Sequence, residues 1–490
     1  MNTLRVVQVV GLLLAVLSLT MLVPLVMAIA FGETLAAEAF GVAIGTGLAL
    51  GGGAALAGRR AEGRFYRREA LGVVALAWIV AAAVGCIPYL VTQVIASPIG
   101  AYFETMSGFT TTGASVLESV EFAPDGSPIP RSIIFWRGMT NWLGGVGIVV
   151  LFVAILPALG VSSREIFHME VPGVGEKGFM PHIRQTAMAL WILYVGLTVL
   201  CTAALLLLGL DWFDAICHAF ATLATGGFSS HSDSVGHYAD WRIHAVITLF
   251  MFLAGVNFTL FFRLALKRDV RGVLRNPELR FYVGVTLLAI ILVGLDLLFR
   301  GHVGGVGEAL DQASFQVVTI STTTGFATED FDAWPSFSRL VLVLLMFVGA
   351  CAGSTAGGLK VFRVMLVLKY GVRQLRLHIR PRSVEKLKFG HDAITVDVIR
   401  PVVGMVVTFV LVFVLGSLLL AALGLDMTTS VTASIAALGN IGPGLGSVGP
   451  ACNYAHIPPA GQAVLSFLML VGRLEIFTAL SLFAPALWRD

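Results

Sequence analysis

Apolar residues run along this chain in stretches too long for a strand or a one-faced surface helix. Two open it, near 6–31 and 38–58. Eight more follow as four pairs: 70–94 with 132–158, 184–209 with 241–266, 280–299 with 337–369, and 400–423 with 461–488. Runs of this length read as membrane-crossing helices, and the first is too long for a cleaved leader, so it is expected to be retained. Inside each pair lies a shorter segment, at 100–110, 213–223, 312–321 and 428–438. About 11 residues rise roughly 16 Å as a helix, enough to enter a bilayer and stop midway. The pattern predicts an all-α polytopic membrane protein with about ten transmembrane helices. Four pseudo-repeated helix–re-entrant loop–helix units would surround a central pore. The expected divisions are 1–68 for two extra N-terminal helices, then 69–182, 183–277, 278–390 and 391–490 for the four units.

Each short segment ends in a glycine turn: Thr111-Thr112-Gly113, Thr225-Gly226, Thr324-Gly325 and Asn440-Ile441-Gly442. Irregular backbone at membrane depth is tolerated only where protein buries it or a wet cavity meets it. Carbonyl oxygens turned inward replace the water shell of a dehydrated cation, and the C-terminal end of each half-helix adds partial negative charge. These ten residues are therefore the expected ion ligands of a potassium pathway. The fourth turn lacks the threonine, so the ring is not expected to be symmetric.

Composition and charge sharpen this picture. Only 12% of residues are charged and mean hydropathy is +0.89, against about 25% charged in soluble domains. The net charge of +3 carries no nucleic-acid signal, because the basic residues sit in separate loops. They cluster at Arg59–Arg68, at 263–280 and at 369–388, which places these segments and both termini in the cytoplasm. The last two segments are also candidate docking sites for a cytosolic partner. The five cysteines are scattered without a CxxC pair, and the histidines lack ligand spacing, so no metal site or disulfide framework is expected. No nucleophile–base pair is evident, which disfavours an enzyme. Glu104, Asp214 and Asp311 are read as helix-start carboxylates, and Trp136, Trp212, Trp241, Trp334 and Trp488 as interfacial anchors.

One helix is expected to break. Gly349, Gly353, Gly357 and Gly358 lie within ten residues, and each glycine costs about 1 kcal/mol relative to alanine in a helix. A flexible loop just below the turns would act as a gate. Lys360 at its end would repel cations, or alternatively cap the broken helix and snorkel. Gly173–Gly178 matches G-x-G-x-x-G but lacks a preceding strand, so no nucleotide site is expected in this chain.

Five stretches then show a resemblance: Glu104–Gly113, Asn141–Ile148, Gly349–Lys360, Asn440–Gly446 and Gly472–Phe477. With them the chain resembles the membrane subunit of the Trk potassium uptake systems, in a superfamily with Ktr, the plant high-affinity potassium transporters and the Kdp pore subunit. The resemblance implies a multi-pass protein of the bacterial inner membrane, a homodimer with one pore per protomer. It implies gating by a cytosolic NAD- or ATP-binding regulatory subunit, with potassium as substrate and no cofactor on this chain. It also implies that Arg473 interacts with the 349–360 loop. In the plant relatives a serine in place of the first-turn glycine accompanies sodium transport, and this chain has Gly113 there. A potassium symporter coupled to sodium or protons is the alternative, although no midplane carboxylate for coupling is evident.

Overall fold

The computed structural model describes residues 2–59, 67–145, 147, 183–382, 387–389, 392–394 and 396–485. The G-x-G-x-x-G stretch, the end of the 132–158 run, Trp488 and part of the basic 369–388 segment lie outside them. The described chain is almost wholly helical, with one short antiparallel hairpin of Leu387–Phe389 and Asp392–Ile394 in the basic segment between units three and four.

Among the described residues, six of the ten expected spans are continuous helices long and apolar enough to cross a membrane: Thr3–Ala30, Thr34–Ala57, Arg68–Val91, Ala187–Leu207, Pro277–Phe299 and Val398–Ala422. The second helices of units two, three and four depart from this. In unit two it bends by 93° between Trp241–Ala254 and Phe258–Ala265. In unit three it is interrupted between Ser336–Val348 and Val361–Ile379, as the glycines there predict. In unit four it stops at Arg473, and Glu475 and Ile476 both take φ of 54° before a short helix resumes at Phe477. Apolar composition alone does not distinguish a straight span from two half-spans with a polar elbow between them.

Four half-helices occupy the centre: α1 (Pro98–Phe109), α2 (Trp212–Ala224), α3 (Val306–Ser321) and α4 (Met427–Leu438). Ser97, Asp211 and Asp426 cap the first, second and fourth by accepting from Gly100 N, Phe213 N and Thr429 N. α3 begins six residues earlier than the apolar pattern suggests, because Glu308 and Asp311 occupy its outer turns. Each half-helix packs against the second helix of the preceding unit: α2 on Arg131–Gly145, α3 on Trp241–Ala254, α4 on Ser336–Val348 and α1 on Pro459–Arg473. The four contacts close a circle. Apolar residues such as Leu287, Leu288, Ile291 and Leu295 face outward on the peripheral helices, a surface suited to lipid.

Candidate functional site

All four half-helices end in the same way. Thr111, Thr225, Thr323 and Asn440 donate their N–H to the carbonyl three residues back, at 3.0–3.2 Å. Thr112, Gly226, Thr324 and Ile441 donate to the carbonyl five residues back, each at 2.8 Å. This pair of bonds is a Schellman cap. Its left-handed position normally favours glycine, yet here it holds three threonines and an asparagine at φ of 53–57°. A β-branched residue in that region costs about 1–2 kcal/mol. Such strain persists only where surrounding packing over-determines the backbone, and all four residues are buried.

The caps fix the register, and they correct the second turn. Counting from the left-handed residue, the glycine equivalent to Gly113, Gly325 and Gly442 is Gly227, not Gly226. These four have φ of 72–98°. Gly226 instead matches Thr112, Thr324 and Ile441, while Thr225 matches Thr111 and Thr323. The sequence reading aligned the first glycine of a Gly-Gly pair, and one residue of slip reassigns the whole turn.

The turns meet. A Cβ placed on Gly113 would lie 2.4 Å from the Gly226 carbonyl oxygen. On Gly227 it would lie 2.2 Å from Thr324 O, on Gly325 1.9 Å from Ile441 O, and on Gly442 2.6 Å from Thr112 O. Each turn presses on the next, the fourth presses on the first, and the ring closes with no room for a side chain. All four glycines also line one cavity of about 450 Å³ with Glu118, Asp233, Glu329 and Asp330 around it. The ring is only two-fold alike in its side chains. Thr110 meets Thr112 and Thr322 meets Thr324 through hydroxyls at 2.8 Å, whereas the other two units have no such pair. Asn440 Nδ2 reaches across to Thr112 Oγ1 at 3.0 Å.

On the opposite side of the ring lies the glycine-rich segment. Gly357 N donates to Thr323 Oγ1 at 2.7 Å, and a Cβ on Gly357 would stand 2.3 Å from Gly439 O. Gly349, Gly353 and Gly358 take positive φ, which folds the segment back on itself. Arg473 donates from Nη1 to Thr355 O at 2.8 Å and from Nη2 to Gly145 O at 2.9 Å, with Gly144 O also in contact. It thus joins the loop to the end of a helix in unit one. Lys360 is buried, sits at the N-cap of Val361–Ile379 and donates to Ala356 O. Glu475 pairs with Arg363.

Comparison with known proteins now bears on this arrangement. Residues 44–489 match the TrkH family, described as cation transport proteins. The Trk system potassium uptake proteins TrkH of Escherichia coli K12 and Salmonella typhimurium are each 38% identical to the chain over 488 residues, 99% of both partners. The crystal structure of the potassium transporter TrkH from Vibrio parahaemolyticus superposes with a TM-score of 0.88 at 37% identity, covering 100% of both chains.

The chain belongs to the TrkH family. It is a multi-pass membrane transport protein and not an enzyme.

Within this TrkH-family fold Glu104 takes a role that differs from the expected helix-start one. Glu104 lies near the middle of α1, fully buried, and accepts from Arg137 Nε, Ser115 Oγ and Val116 N at 2.7–3.0 Å. The equivalent positions in α2 and α3 are His218 and Gln316. His218 Nε2 meets Ser229 Oγ at 3.0 Å. Gln316, with its amide oxygen turned to the neighbouring N–H groups, accepts from Thr328 N and Glu329 N at 3.0 and 3.2 Å. In α4 Thr432 Oγ1 accepts from Leu445 N at 2.9 Å. Each half-helix therefore carries one polar residue that ties down the strand leaving its turn. A spacing of nine residues before the ring glycine would have exposed three of the four in the sequence, but only with the correct register.

Asp214 does start α2, where it meets Ser230 and His231 at 2.7 and 3.1 Å. Asp311 lies in the second turn of α3 and pairs with His244 at 3.0 Å. Trp136 and Trp334 are buried, Trp136 donating to Gly85 O at 3.0 Å, so neither is an interfacial anchor. Trp212 and Trp241 are exposed as expected.

His231 borders the cavity, in the loop after the second turn. The hydrogen bond to the Asp214 carboxylate outweighs burial, and with Glu121 at 4.0 Å it raises the imidazole pKa above 6.5. Its ring also stacks on His237 at 3.8 Å. Protonation adds positive charge beside this cavity. Rubidium uptake should therefore fall about twofold as the pH on the cavity side drops through this titration, and His231→Gln should flatten that step of the pH profile.

Proposed function

We propose that this chain takes up potassium across the bacterial inner membrane through the four-turn ring, acting as a selectivity filter. The carbonyls of Thr112, Gly226, Thr324 and Ile441, with Gly113, Gly227, Gly325 and Gly442, are the ligands in this reading. The observation that carries it is the closed circle of backbone contacts, in which every ring glycine abuts the carbonyl of the next turn. Carbonyls held at fixed separations replace a cation's water shell, and buried protein on all sides supplies the support that such strained backbone needs. Close relatives named as potassium uptake proteins support potassium as the cargo.

The 349–360 segment, with Lys360 and Arg473, is the gate in this reading. It lies against Thr323 and Gly439 on the side away from the acidic cavity, where a plug would block exit from the ring. The acidic cavity then faces outward and the basic segments face the cytoplasm, with both termini inside. A homodimer regulated by a cytosolic nucleotide-binding partner completes the reading; the basic segments 263–280 and 369–388 offer it a complementary surface.

The test is rubidium and sodium flux into liposomes carrying the purified chain, with Gly113→Ser beside it. Rubidium should exceed sodium at least about tenfold and the preference should collapse in the variant. Equal flux of both ions in the parent, or a proton flux in fixed ratio to rubidium, would overturn the filter-and-gate reading in favour of an unselective path or a symporter.

A further inference from the structure

The four ties that hold the turns are not equivalent, because only one is ionic. Glu104 is fully buried and Arg137 is 4% exposed, and their Oε1–Nε distance is 2.7 Å. An isolated buried charge is costly, and even a pair gives little net stability over apolar neighbours. Its value lies in what its remaining atoms fix, and here every one of the named contacts lands on a segment leaving the ring. Glu104 Oε2 takes Val116 N at 2.8 Å and Oε1 takes Ser115 Oγ at 3.0 Å, both just after the first turn. Arg137 Nη1 donates to Ser229 O at 2.9 Å, just after the second turn. Its guanidinium also stacks on Phe228, 3.6 Å above the ring, next to Gly227. One buried charge pair thus links two adjacent turns at the level of Gly113 and Gly227, and Arg137 borders the cavity those glycines line.

We propose that the Glu104–Arg137 pair is a specificity-determining clamp, setting the separation of the first and second turns and so the size of ion the ring accepts. The inference rests on the filter reading above. Neither residue touches the ion; both act through the backbone they position. The pair also balances charge. Arg137 without Glu104 would place an uncompensated cation beside the entry route, whereas lysine in its place would keep the charge but lose the planar fork that reaches Glu104 and Ser229 together.

The test compares rubidium and sodium uptake by potassium-uptake-deficient bacteria expressing the parent chain, Glu104→Gln, Arg137→Lys and Gly113→Ser, with membrane levels measured for each. The clamp predicts that Arg137→Lys reaches the membrane at parental levels, yet its rubidium-over-sodium ratio falls about tenfold, the scale of a lost charge-assisted hydrogen bond. Glu104→Gln should lose the same ratio and also total uptake, because its unpaired Arg137 repels cations. Where Glu104→Gln fails to accumulate, Arg137→Lys alone decides. An unchanged ratio in Arg137→Lys, with Gly113→Ser altered, overturns the clamp and leaves the filter standing. An unchanged ratio in Gly113→Ser as well overturns both.

Discussion

Gly227→Ala is expected to reduce rubidium uptake at least about a hundredfold, and Gly226→Ala to be the milder of the two. The difference follows from the ring register. Gly227 has φ of 72°, and a methyl group there would lie 2.2 Å from the Thr324 carbonyl oxygen. Both the φ value and the clash resist an L side chain, and the atom struck is backbone held by a Schellman cap, which has nowhere to move. Gly226 has an ordinary φ, and its methyl group would strike the side chain of Asn141 at 2.5 Å. That amide is buried and, among the described residues, has no hydrogen-bond partner for either polar atom, so removing it opens space at little cost in bonding. Asn141→Ala should therefore restore uptake to Gly226→Ala and leave Gly227→Ala inactive. Equal loss in the two single variants, with rescue of both or neither, would return the ring position to the first glycine of the pair. Uptake of rubidium in cells, normalised to membrane levels, makes the comparison.

What the sequence conveyed and what it did not divide along a physical line. Membrane helices declare themselves by length and apolar content, since the bilayer demands both, and the half-helices follow from being too short. The four-unit order and the break at 349–360 were legible for the same local reasons. The breaks at 255–257 and 474–476 were not. At 255–257 tertiary bonds replace helical ones: Phe258 N donates to Gly353 O at 3.0 Å, and Cys351 N to Gly255 O at 3.0 Å. Those partners are about a hundred residues away, and nothing in the local pattern announces them. The same holds for Glu104. Its spacing within an apolar helix suggested a helix-start carboxylate, while its partners Arg137, Ser115 and Val116 were brought to it by the packing of two helices and a turn. At Gly226 and Gly227 the composition was right and the register was off by one, because a Gly-Gly pair contains no marker of which residue carries the positive φ.

Deletion of residues 350–357 should produce constitutive rubidium flux in liposomes, about tenfold or more above the parent without any regulatory partner. Gly357 is where the loop meets the ring: its N–H donates to Thr323 Oγ1, and its Cα faces Gly439 O and the Asn440 side chain. Everything else that holds it comes from the surrounding helices. Ala352 N donates to Glu278 Oε1 at 2.6 Å, Cys351 and Gly353 bond the unit-two elbow, and Arg473 takes Thr355 O. A segment anchored so fully on its outer side and so lightly on the ring is placed to withdraw without disturbing the turns. Selectivity for rubidium over sodium should therefore survive the deletion while the closed state does not. Thr323→Val should give the partial version, a smaller leak, by removing the acceptor for Gly357 N while keeping the side-chain shape. Loss of selectivity together with the leak would mean that the loop is part of the ring's support. No leak at all, in a deletion protein that still purifies as the parent does, would place the barrier elsewhere in the path.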